Sequence, residues 1–268
     1  MKNTKKHKKY DLKRSNRDIK MVDESLEILG VSIFGTHKQE VLRKIWLQRK
    51  EILHIATVNS EYIMEARNNP KFKEVLTQCL TIADGWGVVW ANKILDSGRQ
   101  MLVERISGVG LAEEIVRHAA EKNEKIFLLG ARVGVAERAA ANMSKKYPTL
   151  QISWYEGAKT VKVEKNEEAS MTIAKINAYE PDYLLVAYGS PYQDLWIEEN
   201  RPYLRVRVTM GIGGTFDEWA GVTAKCPWWI DRLGFKWAWR LVHEPWRWRR
   251  ILRVLEFGLL VLYHKLID

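Results

Sequence analysis

The chain has 268 residues, a hydrophobic fraction of 46% and a formal net charge of +10, enough apolar material for one α/β domain of ordinary size and an additional segment. Its two isolated cysteines, Cys79 and Cys226, form neither a disulfide framework nor a metal-ligand pattern, which favours a reducing cytoplasm. A transmembrane protein is also excluded, because the best apolar run, Phe257–Tyr263, is far shorter than the roughly 20 residues of a span.

The positive charge is concentrated near the two ends of the chain. Met1–Lys20 carries nine basic and two acidic residues, and Lys225–Arg253 carries eight and two, which leaves a net charge of −3 for the rest. Residues 1–22 lack the apolar segment of a secretory signal, and we predict a disordered basic tail there. A near-neutral body with two basic ends is typical of a protein that meets an anionic partner.

Residues 23–222 alternate between short apolar runs and amphipathic stretches. The predicted strands are Ile52–Val58, Thr81–Ala83, Lys125–Leu129, Gln151–Trp154, Tyr183–Ala187 and Val206–Met210. Predicted helices between them include Gly110–Lys122, Val133–Tyr147 and Glu167–Ala178. This order predicts βαβ units, and hence an α/β domain with a Rossmann-like, mostly parallel sheet and helices on both faces.

Polar or glycine-rich turns follow four of these strands, at Thr57–Asn59, Asp84–Gly87, Gly189–Gln193 and Gly211–Asp217. A fifth strand ends at Gly130, in a turn whose N–H groups are suited to phosphate. Because ligands bind at the carboxyl edge of such sheets, we predict a cleft there. The candidate nucleotide-binding residues are Gly130, Gly189, Gly211, Gly213 and Gly214. The alternative is that these glycines serve backbone geometry alone.

Residues 223–268 differ in character from the rest. Six of the twelve Trp residues lie between 224 and 250, interleaved with Arg. This combination suits a membrane–water interface, because indole rings lie at headgroup depth and guanidinium groups bind phosphate. We therefore predict a helical membrane-docking appendage. The alternatives are a subdomain whose Trp residues pack on its own core and a nucleic-acid-binding segment.

Within this appendage, the spacing of Ile230, Leu233, Trp237 and Leu241 predicts one helix with a single apolar stripe. The Glu244-Pro245 pair ends it, and Arg247 and Arg250 then share one face of a second helix. The expected product is a short helical hairpin.

Between about residues 31 and 250 the sequence resembles the TagA/WecG/CpsF glycosyltransferases (glycosyltransferase family 26). The segments that carry the resemblance in the α/β part are Thr57–Glu61, Ala83–Val89, Arg105–Gly108, Gly189–Asp194 and Gly211–Gly221. The most specific residues lie at the end, namely Pro227, Trp229, Leu233-Gly234, Trp237, Arg240-Leu241, Glu244-Pro245 and Arg247–Arg250. There are two mild departures: Gln193-Asp194 replaces the usual Gln-Glu, and Lys225-Cys226-Pro227 the usual Arg-Ala-Pro.

The resemblance implies an inverting enzyme, peripheral on the inner face of the cell membrane. It would move N-acetylmannosamine or a relative from a UDP-sugar to polyprenyl-diphosphate-linked N-acetylglucosamine during cell-surface polysaccharide or wall teichoic acid assembly. Asp84 matches the family's general base. The residues expected to bind substrate are Thr57, Asn59, Arg105, Gln193, Asp217, Arg240, Arg247 and Arg250.

The chemistry agrees with these roles. An inverting displacement needs a base for the acceptor hydroxyl, and Asp84 stands at a strand end; its alternative role is a helix N-cap. The chain has no Asp-x-Asp metal motif, so we predict no cofactor and charge stabilisation by arginine. The alternative for the arginines is a solvated basic face.

Two other classes remain in competition. A nicotinamide or flavin oxidoreductase would need an early Gly-x-Gly-x-x-Gly loop, whereas Gly211–Gly214 comes late. A non-enzymatic membrane or nucleic-acid adaptor would leave the strand-end clusters without a role. The predicted partners are the UDP-sugar, the lipid-linked acceptor and an anionic membrane surface, not nucleic acid; a homo-oligomer stays open.

Overall fold

The computed structural model describes residues 25–34, 37–95, 104–158, 161, 166–243, 245 and 248–267, without the side chains at 236 and 249–251. The predicted basic tail at residues 1–22 and Arg247 lie outside the described residues, as does the side chain of Arg250. The strands are β1 (Ser25–Ile28), β2 (Val31–Phe34), β3 (Leu53–Val58), β4 (Leu80–Ala83), β5 (Lys125–Gly130), β6 (Gln151–Tyr155), β7 (Tyr183–Ala187) and β8 (Val208–Gly211).

Helices separate most of these strands. They are α1 (Lys38–Leu47), α2 (Ser60–Asn68), α3 (Pro70–Thr77), α4 (Trp86–Leu95), α5 (Gly108–Lys122), α6 (Val135–Lys146), α7 (Asn166–Tyr179), α8 (Tyr192–Asn200), α9 (Thr215–Trp219), α10 (Trp228–Arg232), α11 (Lys236–His243) and α12 (Trp248–Ile267). The three predicted helices correspond to α5, α6 and α7.

The six predicted strands correspond to β3–β8 and form one sheet in the order β4-β3-β8-β7-β5-β6. Every pairing in it is parallel, which confirms the predicted α/β class. The carboxyl ends of β4, β3, β8 and β7 are therefore neighbours along one edge. The structure adds an unpredicted antiparallel hairpin, β1–β2, whose turn residues Leu29 and Gly30 both have positive φ.

Apolar side chains cover both faces of the sheet, as predicted. Along β5, Leu128 belongs to the core beneath α1, α5, α6 and α9, whereas Phe127 and Leu129 pack under α7 and α8 on the opposite face. Successive strand residues point to opposite faces, so a strand buried on both sides reads as one continuous apolar run. On the second face, α2, α3, α4 and the β1–β2 hairpin form a further core around Ala56 and Val58.

The C-terminal segment differs from its prediction in two respects. The expected continuous helix is wrong: α10 ends at Arg232 and α11 begins at Lys236. Gly234, between them, has φ +85 and lies so close to Trp86 that a Cβ atom there would be 3.1 Å from its ring. Glycine adopts this left-handed conformation without strain and commonly ends helices, and here it also permits the close approach.

The second helix of the hairpin, expected to be short, instead has 20 residues. Helix α12 packs on α2 and α4 of the α/β domain, and its Phe257 and Val261 are buried in their core. These two residues are four apart and therefore share one helix face. None of the described helices is long and apolar enough to cross a bilayer.

Candidate active site

A cleft of about 950 Å³ lies at the carboxyl edge of the sheet. Its walls are the turns after β3, β4, β7 and β8, closed on one side by α10, α11 and Val254 of α12. The predicted site residues that line it are Thr57, Asn59, Asp84, Arg105, Gly189, Gln193, Gly213, Gly214, Asp217 and Arg240. The structure thus brings predicted site residues from both the α/β domain and the appendage together in one cavity. Their chemical roles stay predictions.

Two predicted nucleotide-binding glycines do not line this cleft. A Cβ atom on Gly130 would lie 2.8 Å from the ring of Tyr188, and one on Gly211 would lie 2.8 Å from Asp194 Oδ1. Both positions therefore require glycine, because a neighbouring side chain occupies the space that a Cβ atom would need. The residues after Gly130, Ala131 and Arg132, do reach the cleft wall.

Asp84 follows β4 directly, and its N–H donates to the carbonyl oxygen of Val58 at 2.8 Å. Its half-buried side chain lies against Gly108, the first residue of α5, where a Cβ atom would be 3.1 Å from Asp84 Oδ2. The same absent Cβ leaves room for Thr57. The absence of a side chain on Gly108 therefore lets the Asp84 carboxyl group approach the first turn of α5.

Asn59 has a structural role that the sequence did not reveal. Its side-chain oxygen accepts a hydrogen bond from the N–H of Tyr62 at 3.1 Å and caps α2. Such a cap typically contributes about 1 kcal/mol to stability. Any contact of Asn59 with substrate must therefore use the remainder of its amide group.

Arg105 connects the α/β domain to α10. Its Nη2 donates to Asp231 Oδ1 at 2.6 Å and its Nη1 to the Asp231 carbonyl at 3.3 Å, while Trp86 Nε1 donates to that same carbonyl at 3.1 Å. The guanidinium also lies over the Trp86 ring. Among the described residues, nothing accepts a hydrogen bond from the buried Nε of Arg105.

Two further arginines on the cleft walls are paired with carboxylates. Arg240 Nη2 donates to Glu218 Oε1 at 2.8 Å, so α11 is held against α9. Arg132 Nη2 donates to Asp217 Oδ1, also at 2.8 Å. Arg132 was not predicted, although its place directly after the Gly130 turn was a signal for it. Both guanidinium groups therefore reach the cleft already held by a carboxylate.

Gln193 is almost completely buried at the base of the cleft. Its Oε1 accepts from the N–H of Gly213 at 3.0 Å, and its Nε2 donates to the Tyr62 hydroxyl at 2.7 Å. Gln193 thereby joins the turn after β7 to the turn after β8. Sequence reasoning missed Tyr62, because a tyrosine within an amphipathic helix reads as an ordinary core residue.

One group of described residues has the composition of a cation site, namely His54, Cys79 and Glu198. It does not line the cleft. His54 Nδ1 lies 2.8 Å from Glu198 Oε1 and 3.2 Å from Cys79 Sγ, while Nε2 lies 3.2 Å from Asp194 Oδ1. With both ring nitrogens next to carboxylates, the group reads as an ion-pair cluster rather than a vacant metal centre.

Comparison with known proteins points in one direction. A family model described as the glycosyl transferase WecG/TagA/CpsF family matches residues 26–268, which include the α/β domain and α10–α12. The chain is 31% identical over 224 residues to the N-acetylglucosaminyldiphosphoundecaprenol N-acetyl-beta-D-mannosaminyltransferase of Bacillus subtilis (strain 168), covering 83% of this chain and 84% of that protein.

A protein of the same description from Staphylococcus aureus (strain MRSA252) is 30% identical over 234 residues, covering 85% of this chain and 87% of the relative. In both cases the alignment spans most of each chain, so the similarity concerns the whole domain and not an isolated motif.

Proposed function

The chain belongs to the WecG/TagA/CpsF glycosyltransferase family, and from this premise we propose that it transfers N-acetylmannosamine to undecaprenyl-diphosphate-linked N-acetylglucosamine. The donor is a UDP-sugar, and the reaction inverts the anomeric configuration. The two relatives above are described as enzymes with this acceptor and sugar. An oxidoreductase or a non-enzymatic adaptor is not favoured, because both relatives are transferases.

The observation that carries the proposal is the composition of the cleft at the carboxyl edge of the sheet. It brings one carboxylate suited to act as a base, Asp84, together with guanidinium groups from Arg105, Arg132 and Arg240. An inverting displacement needs a base for the attacking hydroxyl. It also needs preorganised positive charge where the leaving diphosphate develops its own negative charge, and guanidinium groups bind phosphate oxygens in bidentate fashion.

We place the enzyme at the cytoplasmic membrane surface, where a lipid-linked acceptor is held. Helix α12 supports this, since it exposes a series of apolar side chains. Its members are Leu252, Leu255, Leu259, Leu262, Leu266 and Ile267. Interfacial helices of this kind bury an apolar face among the lipid headgroups, and the adjacent basic residues favour anionic lipid.

The direct test is a transfer assay. Purified protein is incubated with a short-chain lipid-diphosphate N-acetylglucosamine and, in separate reactions, with UDP-N-acetylmannosamine, UDP-N-acetylglucosamine or UDP-glucose. Mass spectrometry should detect product with the first donor, and NMR should show a β-linkage. Product from a different donor alone would refute the sugar, and an α-linkage would refute inversion.

We also propose that transfer needs no divalent metal, because the chain has no Asp-x-Asp motif and arginines supply the charge stabilisation. EDTA should leave the initial rate of transfer unchanged, measured beside a reaction supplemented with excess Mg²⁺. Complete loss of the rate with EDTA, reversed by Mg²⁺ or Mn²⁺, would contradict this proposal.

A further inference from the structure

A chain of hydrogen bonds runs from the cleft wall into the interior behind β3. Gln193 Nε2 donates to the Tyr62 hydroxyl at 2.7 Å, and that hydroxyl donates to Asp194 Oδ2 at 2.8 Å. Asp194 Oδ1 lies 3.2 Å from His54 Nε2, and His54 Nδ1 lies 2.8 Å from Glu198 Oε1. These hydrogen bonds therefore join α8, α2 and β3. Of the side chains involved, Gln193 and Tyr62 line the cleft and the others do not.

The ionic end of this chain explains how a buried carboxylate is tolerated. The side chains of Asp194 and His54 are both fully buried, and an unpaired buried charge is strongly destabilising. Burial lowers the pKa of His54, but Cys79, Asp194 and Glu198 outweigh it and hold that pKa well above its ordinary value. The two ring nitrogens of His54 face Glu198 Oε1 at 2.8 Å and Asp194 Oδ1 at 3.2 Å, and this pairing fixes Asp194 in place.

This arrangement determines which way the Gln193 amide points. The single hydroxyl proton of Tyr62 is directed to Asp194. In its hydrogen bond with Gln193, the Tyr62 oxygen must therefore be the acceptor. Gln193 Nε2 must then face Tyr62, and Oε1 must face the N–H of Gly213 at 3.0 Å. If the amide were flipped, Gln193 Nε2 would face the N–H of Gly213. Two hydrogen-bond donors would then face each other, and neither would be satisfied, which is costly in the protein interior.

The Gln193 amide group packs closely against the backbone of the last strand. Gly211 has no Cβ, and a Cβ atom there would lie 2.8 Å from the side-chain amide carbon of Gln193. Gly213 has φ +51, a conformation that glycine adopts without strain, and it lines the cleft beside Gly214. The hydrogen bond from the Gly213 N–H to Gln193 Oε1 therefore links the turn after β8 to the orientation of the Gln193 amide.

We propose that Tyr62, Asp194 and His54 are positioning residues for sugar transfer, acting through the Gln193 amide to hold the Gly213 turn in its reactive position. The proposal rests on the glycosyltransferase function above. Tyr62, Asp194 and His54 do not contact the reacting atoms. They fix the Gln193 amide and the Gly213 turn, which lie on the cleft wall.

The test compares two buried tyrosines that each donate to a carboxylate. Tyr62→Phe removes the hydroxyl of the chain described here. Tyr183→Phe is the matched control, because Tyr183 is buried at the opposite end of the sheet and donates to Glu124 Oε2 at 2.6 Å. Misplacement of a positioning group can cost about 100-fold in rate. We expect kcat/KM to fall about 10- to 100-fold in Tyr62→Phe and to be unchanged in Tyr183→Phe, although both variants lose thermal stability.

A second readout does not depend on activity. Hydrogen exchange at the Gly213 amide should be faster in Tyr62→Phe than in wild type and unchanged in Tyr183→Phe. A third readout is the double variant Tyr62→Phe/Gln193→Ala, whose kcat/KM should equal that of Gln193→Ala alone, because Tyr62 acts through Gln193. Should Tyr62→Phe not fold, Asp194→Asn enters the same series.

Unchanged kcat/KM and unchanged Gly213 exchange in a folded Tyr62→Phe protein would overturn the proposal, as would fully additive losses in the double variant. Failure of the proposed function has a different signature: wild-type protein would then give no product with any donor, while the exchange measurement at Gly213 would still decide whether the chain of hydrogen bonds holds the turn.

Discussion

Asp84→Asn is expected to lower kcat by about two to four orders of magnitude, the usual contribution of a general base. The exchange keeps the size and shape of the side chain and removes its ability to accept a proton. The backbone hydrogen bond from Asp84 to Val58 is unaffected, so the fold and UDP affinity should persist. The measurements are kcat in the transfer assay, the melting temperature and UDP binding by calorimetry.

The other carboxylates on the cleft walls serve as controls for this experiment. Asp217 and Asp231 line the cleft and hold Arg132 and Arg105 at 2.8 and 2.6 Å, so each already serves to position a guanidinium group. Under the proposed role of Asp84 as the base, Asp217→Asn should cost less in kcat than Asp84→Asn. Near-normal turnover in a folded Asp84→Asn protein would refute the assignment and transfer it to Asp217.

Two ion pairs explain why the appendage closes one side of the cleft. Arg105 with Asp231 anchors α10, and Arg240 with Glu218 anchors α11. Both pairs are largely shielded from solvent, where a charge-assisted hydrogen bond is stronger than at the surface. Under the proposed function, a diphosphate would meet arginines that are already held in position, which would lower the ordering cost of binding.

Much of the fold follows from the sequence because β3–β8 are buried on both faces. Such strands appear as short continuous apolar runs, and Tyr183–Ala187 is identical as predicted and as observed. The β1–β2 hairpin was missed because its strands have four residues each, too few for a reliable alternation. The interruption at Gly234 was missed because a single glycine inside a helical stripe is tolerated in many helices.

Some residues of the candidate site could likewise be predicted from the sequence, and others could not. Asp84, Thr57 and Gln193 could be predicted because they stand at strand ends, where parallel-sheet proteins bind ligands. The pairing of His54 with Asp194 could not, because His54 is a polar residue within the apolar run of β3 and has no local pattern. Asp194 stands out only as part of the Gln193-Asp194 pair, and its contact with His54 appears only in the folded chain. Their positions in the sequence differ by 140 residues, a separation that no spacing argument reaches.

Phe257→Ala is expected to lower the free energy of unfolding by about 3–5 kcal/mol, the usual cost of emptying a buried aromatic site. Phe257 is 1% exposed and packs with Val261 in the core shared with α2 and α4. Deleting residues 225–268 would uncover this whole surface and confound stability with activity. A point variant, followed by chemical denaturation, isolates the contribution of one contact.

Leu259→Ala on the same helix is the matched control, since Leu259 is 70% exposed. It should change the free energy of unfolding by less than about 0.5 kcal/mol. Each methylene group buried in lipid contributes about 0.8 kcal/mol, so Leu259→Ala should instead weaken binding to anionic vesicles about tenfold or more. Phe257→Ala should leave vesicle binding intact at temperatures where the protein is folded. If Leu259→Ala bound vesicles as wild type does, α12 would be an internal packing element only, and membrane docking would have to come from α10 and α11, where Trp228, Trp229 and Trp237 are exposed.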